Sequence, residues 1–248
     1  MVGKQEKARG ELALIQLLPN MLTIAAICAG LTAIRFGVNG NYLLAVQLIL
    51  LAAIIDGVDG RLARAMGSDS KMGAELDSLA DFLNFGVTPA LILYWWSLNE
   101  VYGFGWIATL VYAICCVMRL ARFNVSSRSP EQTADKSYFV GIPSPAGALL
   151  AMLPLYVTFA FGPEYQLPAQ LNCLYISVVG LLMISQIPTW SFKGTVIRKE
   201  RARYFLVGFS IVGASLLIFP WEALIVVCAV YVILIFWTWL NSHRRKTS

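Results

Sequence analysis

Histidine and charged side chains are scarce in this sequence of 248 residues. There is one histidine, His243, and 13% of the residues are charged, whereas about 25% is typical of a soluble domain. The five cysteines are an odd number, lie mostly in apolar runs and lack the spacing of metal ligands. These shortages argue against a zinc centre, a disulfide framework and a soluble protein with a large charged surface.

Hydrophobic residues, by contrast, make up 58% of the chain, in runs that approach 20 residues and recur along its length. A transmembrane helix needs about 20 mainly apolar residues. The sequence therefore predicts an all-α integral membrane protein with about eight transmembrane helices. The predicted spans lie near residues 19–38, 41–63, 75–98, 103–125, 145–162, 170–188, 204–219 and 221–240.

The segment before the first span differs from the rest of the chain. Residues 1–18 mix polar and apolar side chains and lack a small-residue cleavage site, so they predict an interfacial helix that leads into Pro19. Residues 19–248 contain no evident repeat or linker, and we expect them to form a single polytopic membrane domain.

The positions of the basic residues predict the orientation in the membrane. Lys and Arg cluster before the first span and after the even-numbered spans, and only Arg35 falls on the opposite side. Basic loops stay in the cytoplasm, so both termini are expected there, with the protein in the cell (inner) membrane. Topology and anionic lipid headgroups explain the net charge of +5, and nucleic acid is not an expected partner.

Four aspartates, Asp56, Asp59, Asp77 and Asp81, lie at the cytoplasmic junction of the second and third spans. Spacings of three and four residues place each pair on one face of a helix. A carboxylate at the centre of a membrane helix costs about 3 kcal/mol, and cations would relieve both this cost and the mutual repulsion. An all-oxygen site favours Mg²⁺ or Mn²⁺ over zinc, and we expect two ions.

Glycines and an arginine accompany these carboxylates. Gly57, Gly60 and Gly73 lack side chains where a ring or a pyrophosphate would have to approach the backbone. Arg64 can bind phosphate oxygens through a forked pair of hydrogen bonds. The segment therefore predicts metal-assisted chemistry on a phosphate-containing molecule.

The segment 56–81 reads D-x2-D-G-x2-A-R-x8-G-x3-D-x3-D. It resembles the signature of the CDP-alcohol phosphotransferase family at every fixed position. This resemblance implies a membrane enzyme with a six-helix core that transfers a substituted phosphate from a CDP-linked donor to an alcohol and releases CMP. It also implies that Asp56, Asp59 and Asp77 are metal ligands, and that Asp81 is both a metal ligand and the general base.

The same resemblance implies a donor-binding set formed by Asp56, Gly60, Arg64 and Gly73. Residues 77–90, 119–124 and 141–146 further resemble the phosphatidylserine synthase branch of the family. That branch implies CDP-diacylglycerol and L-serine as substrates, phosphatidylserine and CMP as products, and membrane lipids as surroundings. A homodimer is expected from the family resemblance alone.

Four polar residues after the signature are candidates for binding the acceptor or the phosphates: Arg119, Arg122, Asn124 and Ser144. Each also has an ordinary interpretation. The arginines suit the cytoplasmic end of a membrane helix, where long basic side chains reach the interface. Asn124 is compatible with a helix stop, and Ser144 lies between two prolines, a pattern typical of a helix start.

Two kinds of alternative function remain open. Within the family, the acceptor could be glycerol phosphate, inositol phosphate or choline, and an ether-linked donor would make the protein an archaetidylserine synthase. Outside it, carboxylates in a membrane are typical of ion-coupled transporters. The four aspartates cluster on one hairpin and no inverted repeat is evident, which favours the enzyme.

Overall fold

α-Helices form almost all of the protein that the structure describes. A computed structural model describes residues 17–66, 70–128, 138–185, 188–190 and 199–246. The helices in these ranges are α1 Leu18–Val38, α2 Tyr42–Met66, α3 Lys71–Asp81, α4 Thr88–Trp96, α5 Phe104–Arg128, α6 Ser144–Ala151, α7 Leu153–Phe161, α8 Ala169–Ile184, α9 Lys199–Ile218 and α10 Pro220–Lys246.

Short elements join some of these helices. A π-helical turn, Phe82–Val87, connects α3 to α4, and 3₁₀ turns occupy Leu98–Glu100 and Pro163–Tyr165. Strand β1 (Tyr138–Val140) pairs antiparallel with β2 (Pro188–Trp190). This small ribbon joins the segment before α6 to the segment after α8.

The helices agree with the predicted spans. Within the described ranges, five stretches are long and apolar enough to cross a membrane: Leu18–Val38, Tyr42–Met66, Met72–Trp96, Phe104–Ser126 and Pro220–Thr238. The pair α6–α7 makes a sixth if its two helices are one span, and α8 is apolar but has only 16 residues. The helical membrane fold is thereby confirmed, while the count of eight crossings stays a prediction.

The span predicted over residues 145–162 is not one continuous helix. Helices α6 and α7 are bent by 41° at Met152. Pro154 lies in the first turn of α7 and has no backbone N–H to donate to the preceding turn, so a straight helix is unfavourable here. The prolines around Ser144 do begin a helix, as their pattern predicts.

The third span begins earlier than predicted and changes its winding. Ser70 caps α3, and its side-chain oxygen accepts a hydrogen bond of 2.9 Å from the backbone N–H of Gly73. After Asp81 the chain widens into the π-helical turn. The hydroxyl of Tyr112 donates to the Phe85 carbonyl at 2.9 Å, which supports a backbone group in this less regular turn.

Small residues hold α1 close to α2. Ala26, Ala29 and Ala33 on α1 and Ala45 and Ala52 on α2 are buried. Small side chains at a helix interface let two membrane helices approach closely. The start of α1 therefore lies beside the end of α2, where two of the four aspartates are found. The interfacial helix predicted over residues 1–18 lies outside the described residues, except for its last two positions.

Candidate active site

Three of the four aspartates converge at the junction of α2 and α3. Carboxylate oxygens of Asp56, Asp59 and Asp77 all lie within 4.8 Å of one another. Two oxygens on opposite sides of a Mg²⁺ ion are separated by about 4.2 Å, twice the usual metal–oxygen distance. The spacing and the all-oxygen chemistry of this aspartate cluster therefore fit a hard divalent cation.

Asp81 lies beside this cluster and contacts it through one member. Its carboxyl group is in hydrogen-bond contact with that of Asp56. Its Oδ1 atom is buried and has no hydrogen-bond partner in the part of the chain that the structure describes. The positive charge of Arg119 interacts with it from α5. Asp81 is thus placed between the aspartate cluster and a cation on another helix.

Thr23 on α1 orients Asp59. Thr23 is not among the site residues that the sequence predicts. Its hydroxyl donates to Asp59 Oδ2 at 2.9 Å, and Asp59 is only 2% exposed. Asp59 Oδ1 is also buried and has no hydrogen-bond partner within the described ranges. A buried carboxylate oxygen without a partner is costly, and a bound cation would satisfy it. The first span contains a second threonine, Thr32, so the residue type alone did not distinguish Thr23.

A cavity of about 490 Å³ opens beside the cluster, between α1, α2 and α3. Its volume lies within the range of ordinary ligand pockets. Three of the four predicted donor-binding residues line it, whereas Asp56 is not among the lining residues. The lining consists of Pro19, Asn20, Thr23, Asp59, Gly60, Ala63, Arg64, Ser70, Gly73, Ala74 and Asp77.

The glycines of the signature have different surroundings. A Cβ added at Gly73 would lie 2.9 Å from Asn20 Oδ1 and 3.0 Å from Ser70 Oγ, so a larger residue there would displace these two side chains. A Cβ at Gly60 or at Gly57 would meet no atom within 4 Å. Gly60 lines the cavity, whereas Gly57 is exposed and does not. The geometry therefore does not support the expectation that a ring or a pyrophosphate approaches the backbone at Gly57.

On the α5 side of the site, Arg119 reaches the start of α6. Its Nη1 donates to Ser144 Oγ at 2.9 Å, and Ser144 is fully buried. The guanidinium also lies 5.5 Å from the centroid of the Phe123 ring, a cation–π contact that fixes its position. Arg119 is thus hydrogen-bonded to Ser144, and its charge interacts with Asp81.

The other two acceptor candidates make contacts within the protein. Arg122 donates to the carbonyls of Ile184 at 3.0 Å, Ser185 at 3.3 Å and Met183 at 3.4 Å. These carbonyls end α8, and a basic side chain commonly caps a helix C-terminus.

Asn124 exchanges hydrogen bonds of 2.9 and 3.2 Å with Ser78. Ser78 follows Asp77 on α3, so this pair holds the aspartate helix against α5. Helix α5 continues past Asn124 to Arg128, and Asn124 is therefore not a helix stop.

Known proteins resemble the chain over most of its length. The sequence model of the CDP-alcohol phosphatidyltransferase family matches residues 16–189. A CDP-diacylglycerol–serine O-phosphatidyltransferase of Mycobacterium leprae is 38% identical over 218 residues, or 88% of this chain and 72% of that protein. The protein of that name from Helicobacter pylori (strain 26695) is 34% identical over 226 residues, or 91% and 92% of the two chains. One from Bacillus subtilis is 35% identical over 180 residues, or 71% and 91%.

Proposed function

Since the chain belongs to the CDP-alcohol phosphatidyltransferase family, we propose that it transfers the phosphatidyl group of CDP-diacylglycerol to L-serine. The products are phosphatidylserine and CMP. One observation carries the proposal: three carboxylates lie within 4.8 Å of one another, and two of them, Asp59 and Asp77, line a cavity together with Gly60, Arg64 and Gly73 of the signature. The curated relatives, named for serine as the acceptor, support the choice of acceptor.

The aspartate cluster would hold the divalent metal on which this family generally depends. The donor set contains only carboxylates, which suits Mg²⁺ or Mn²⁺, and we propose two ions, with Asp81 a ligand to the second. When bound, the metal neutralises charge on the phosphates of the donor and on the leaving CMP. Thr23 keeps Asp59 oriented toward the ion by binding its other oxygen.

Asp81 is the proposed general base. It takes the proton from the serine hydroxyl, whose oxygen then forms a bond to the β-phosphorus of the donor. The bond between that phosphorus and the bridging oxygen breaks, and CMP leaves with the bridging oxygen. No covalent enzyme intermediate is needed. The positive charge of Arg119 partly offsets the negative charges of Asp56 and Asp77 that surround Asp81.

The donor would enter the cavity with its cytidine diphosphate and leave its acyl chains in the membrane. Arg64 lines the cavity and can bind a phosphate through two parallel hydrogen bonds. The space next to the backbone is open at Gly60, whereas Asn20 and Ser70 already fill it at Gly73. Asp56 would act on the donor by holding the metal. The positive-inside pattern supports a cytoplasmic active site in the cell (inner) membrane. The proposed homodimer rests on family resemblance alone.

For the acceptor, we propose direct contacts with Arg119 and Ser144, which are hydrogen-bonded to each other; the charge of Arg119 also interacts with Asp81. Arg122 and Asn124 would act indirectly, since Arg122 caps α8 and Asn124 holds α3. Serine carries a single carboxylate, and one arginine suffices to neutralise it. Residues 19–248 would form one catalytic membrane domain.

The test is CMP release by the full chain, purified in detergent, from CDP-diacylglycerol with Mn²⁺ or Mg²⁺. Serine is compared with glycerol 3-phosphate, inositol phosphate and choline, and the lipid product is identified by mass spectrometry. Release with serine and a serine-containing lipid is expected, with loss of activity in a metal chelator. Release with another acceptor alone would overturn the serine assignment. Metal-dependent ion flux without CMP release would favour a transporter.

A further inference from the structure

Tyr231 on α10 contributes an unpaired hydroxyl to the interior of the protein. Its oxygen atom is buried and has no hydrogen-bond partner in the part of the chain that the structure describes. A buried tyrosine hydroxyl usually has a partner, because burying it alone costs free energy. The position of this hydroxyl relative to the active site suggests what its partner is.

Two contacts of α10 place Tyr231 at the level of the proposed acceptor site. Near the start of α10, the ring of Trp221 packs on Phe159 of α7, with centroids 4.9 Å apart. Two turns later, Cys228 Sγ lies 3.7 Å from the Leu149 carbonyl of α6. Later residues of α10 thus lie beside earlier residues of α7 and α6. Tyr231 lies one turn beyond Cys228 on the same face, toward Ser144 at the start of α6.

The guanidinium of Arg119 lies in this region too. Its charge interacts both with the Tyr231 hydroxyl and with Asp81. Its Nη1 donates to Ser144 Oγ at 2.9 Å. The cation therefore interacts with the proposed general base, a serine hydroxyl and a tyrosine hydroxyl, which are contributed by three other helices.

The chemistry of the acceptor matches this arrangement. In serine the hydroxyl and the carboxylate are separated by only two carbon atoms, so an acceptor whose hydroxyl reaches Asp81 has its carboxylate near Arg119. A carboxylate has about four sites that accept hydrogen bonds, more than one guanidinium edge fills. A phenol O–H directed at the same position can donate to one of the remaining sites.

We propose that Tyr231 is a specificity-determining residue that donates a hydrogen bond to the carboxylate of the acceptor beside Arg119. The inference rests on the proposed function, with serine as the acceptor. Helix α10 lies beyond residues 16–189, the part that matches the family model. The acceptor site is therefore completed by a helix from outside the shared domain, which provides a means of setting acceptor choice without altering the metal site.

The experiment compares Tyr231→Phe with a matched control, Tyr156→Phe. Tyr156 on α7 is fully buried and also has a buried hydroxyl with no partner among the described residues, but its ring stacks on Trp221. Each variant therefore removes one buried, unpaired hydroxyl and keeps the ring. KM for serine, KM for CDP-diacylglycerol and kcat are measured on the full chain, together with Tm.

Tyr231→Phe is expected to raise KM for serine about tenfold, the usual effect of losing a hydrogen bond to a charged group. KM for CDP-diacylglycerol should be unchanged, and Tyr156→Phe should match the wild type in both constants. An unchanged serine KM in folded Tyr231→Phe would overturn the inference, as would an equal rise in both variants. A wild type that does not use serine would overturn the proposed function first, which separates the two failures.

Discussion

Thr23 and Asp59 lie on different helices, yet the hydroxyl of Thr23 is 2.9 Å from Oδ2 of Asp59. The same hydroxyl lies 3.1 Å from the Pro19 carbonyl, so the first turn of α1 positions it. Because one oxygen of Asp59 is occupied by Thr23, the other is the one available for a cation. A helix that precedes the aspartate signature thereby helps to orient Asp59, a proposed metal ligand.

Replacing Thr23 by valine should weaken metal binding. Valine keeps the shape but removes the hydroxyl, and loss of such an outer partner typically costs about 10- to 100-fold in metal affinity or activity. The concentration of Mn²⁺ that gives half-maximal CMP release is the measurement. The control is Thr32→Val, also on α1, whose hydroxyl lies 2.6 Å from the Cys28 carbonyl and bonds within the helix. A similar shift in both variants would contradict the role of Thr23.

Replacing Asp81 by asparagine should abolish transfer. Asparagine has a similar shape but cannot take a proton, and a general base typically contributes at least about 100-fold to the rate. The donor should still bind, because the cavity lining does not include Asp81. CMP release measures the rate, and the rise of Tm on adding CDP-diacylglycerol measures donor binding. Turnover near that of the wild type would remove Asp81 as the base.

Gly60→Ala and Gly57→Ala should differ in their effect on donor binding, because Gly60 lines the cavity and Gly57 is exposed outside it. Neither new methyl group would meet another atom within 4 Å, and alanine favours a helix over glycine by about 1 kcal/mol. Both variants should therefore be at least as stable as the wild type. Only Gly60 lines the cavity, so only Gly60→Ala should raise KM for CDP-diacylglycerol. Equal effects on KM would contradict the placement of the donor.

Replacing Arg122 by methionine should destabilise the protein. The variant loses hydrogen bonds to three carbonyls at the end of α8. We expect the free energy of unfolding to fall by about 1–3 kcal/mol, seen as a lower Tm in detergent. The Tm of Arg122→Lys should lie between those of the wild type and Arg122→Met, because an ammonium group cannot span the three carbonyls as a planar guanidinium does. An unchanged Tm with a raised KM for serine would instead assign Arg122 to the acceptor site.

The residues proposed to bind the metal and the donor were predictable because they lie close together in the sequence. Asp56, Asp59, Asp77 and Asp81 lie on two consecutive helices joined by a short turn, so helical periodicity and chain connectivity already bring them together. The structure confirms that three of them converge and that Gly60, Arg64 and Gly73 border a cavity beside them. The bend between α6 and α7 was missed, although Pro154 was a visible signal for it.

The amino-acid sequence by itself determined the helical membrane architecture and the site chemistry, because hydrophobic length and residue spacing act within one or two helices. Only the tertiary structure decided which distant residues meet there. Thr23 and Asp59 are 36 positions apart, and Arg122 and Ile184 are 62 apart. Apolar helix faces meet lipid and protein equally well, so hydropathy does not encode which faces pack together. Packing of small residues and a few polar contacts makes that choice, and it brings Thr23 and Tyr231 to the site.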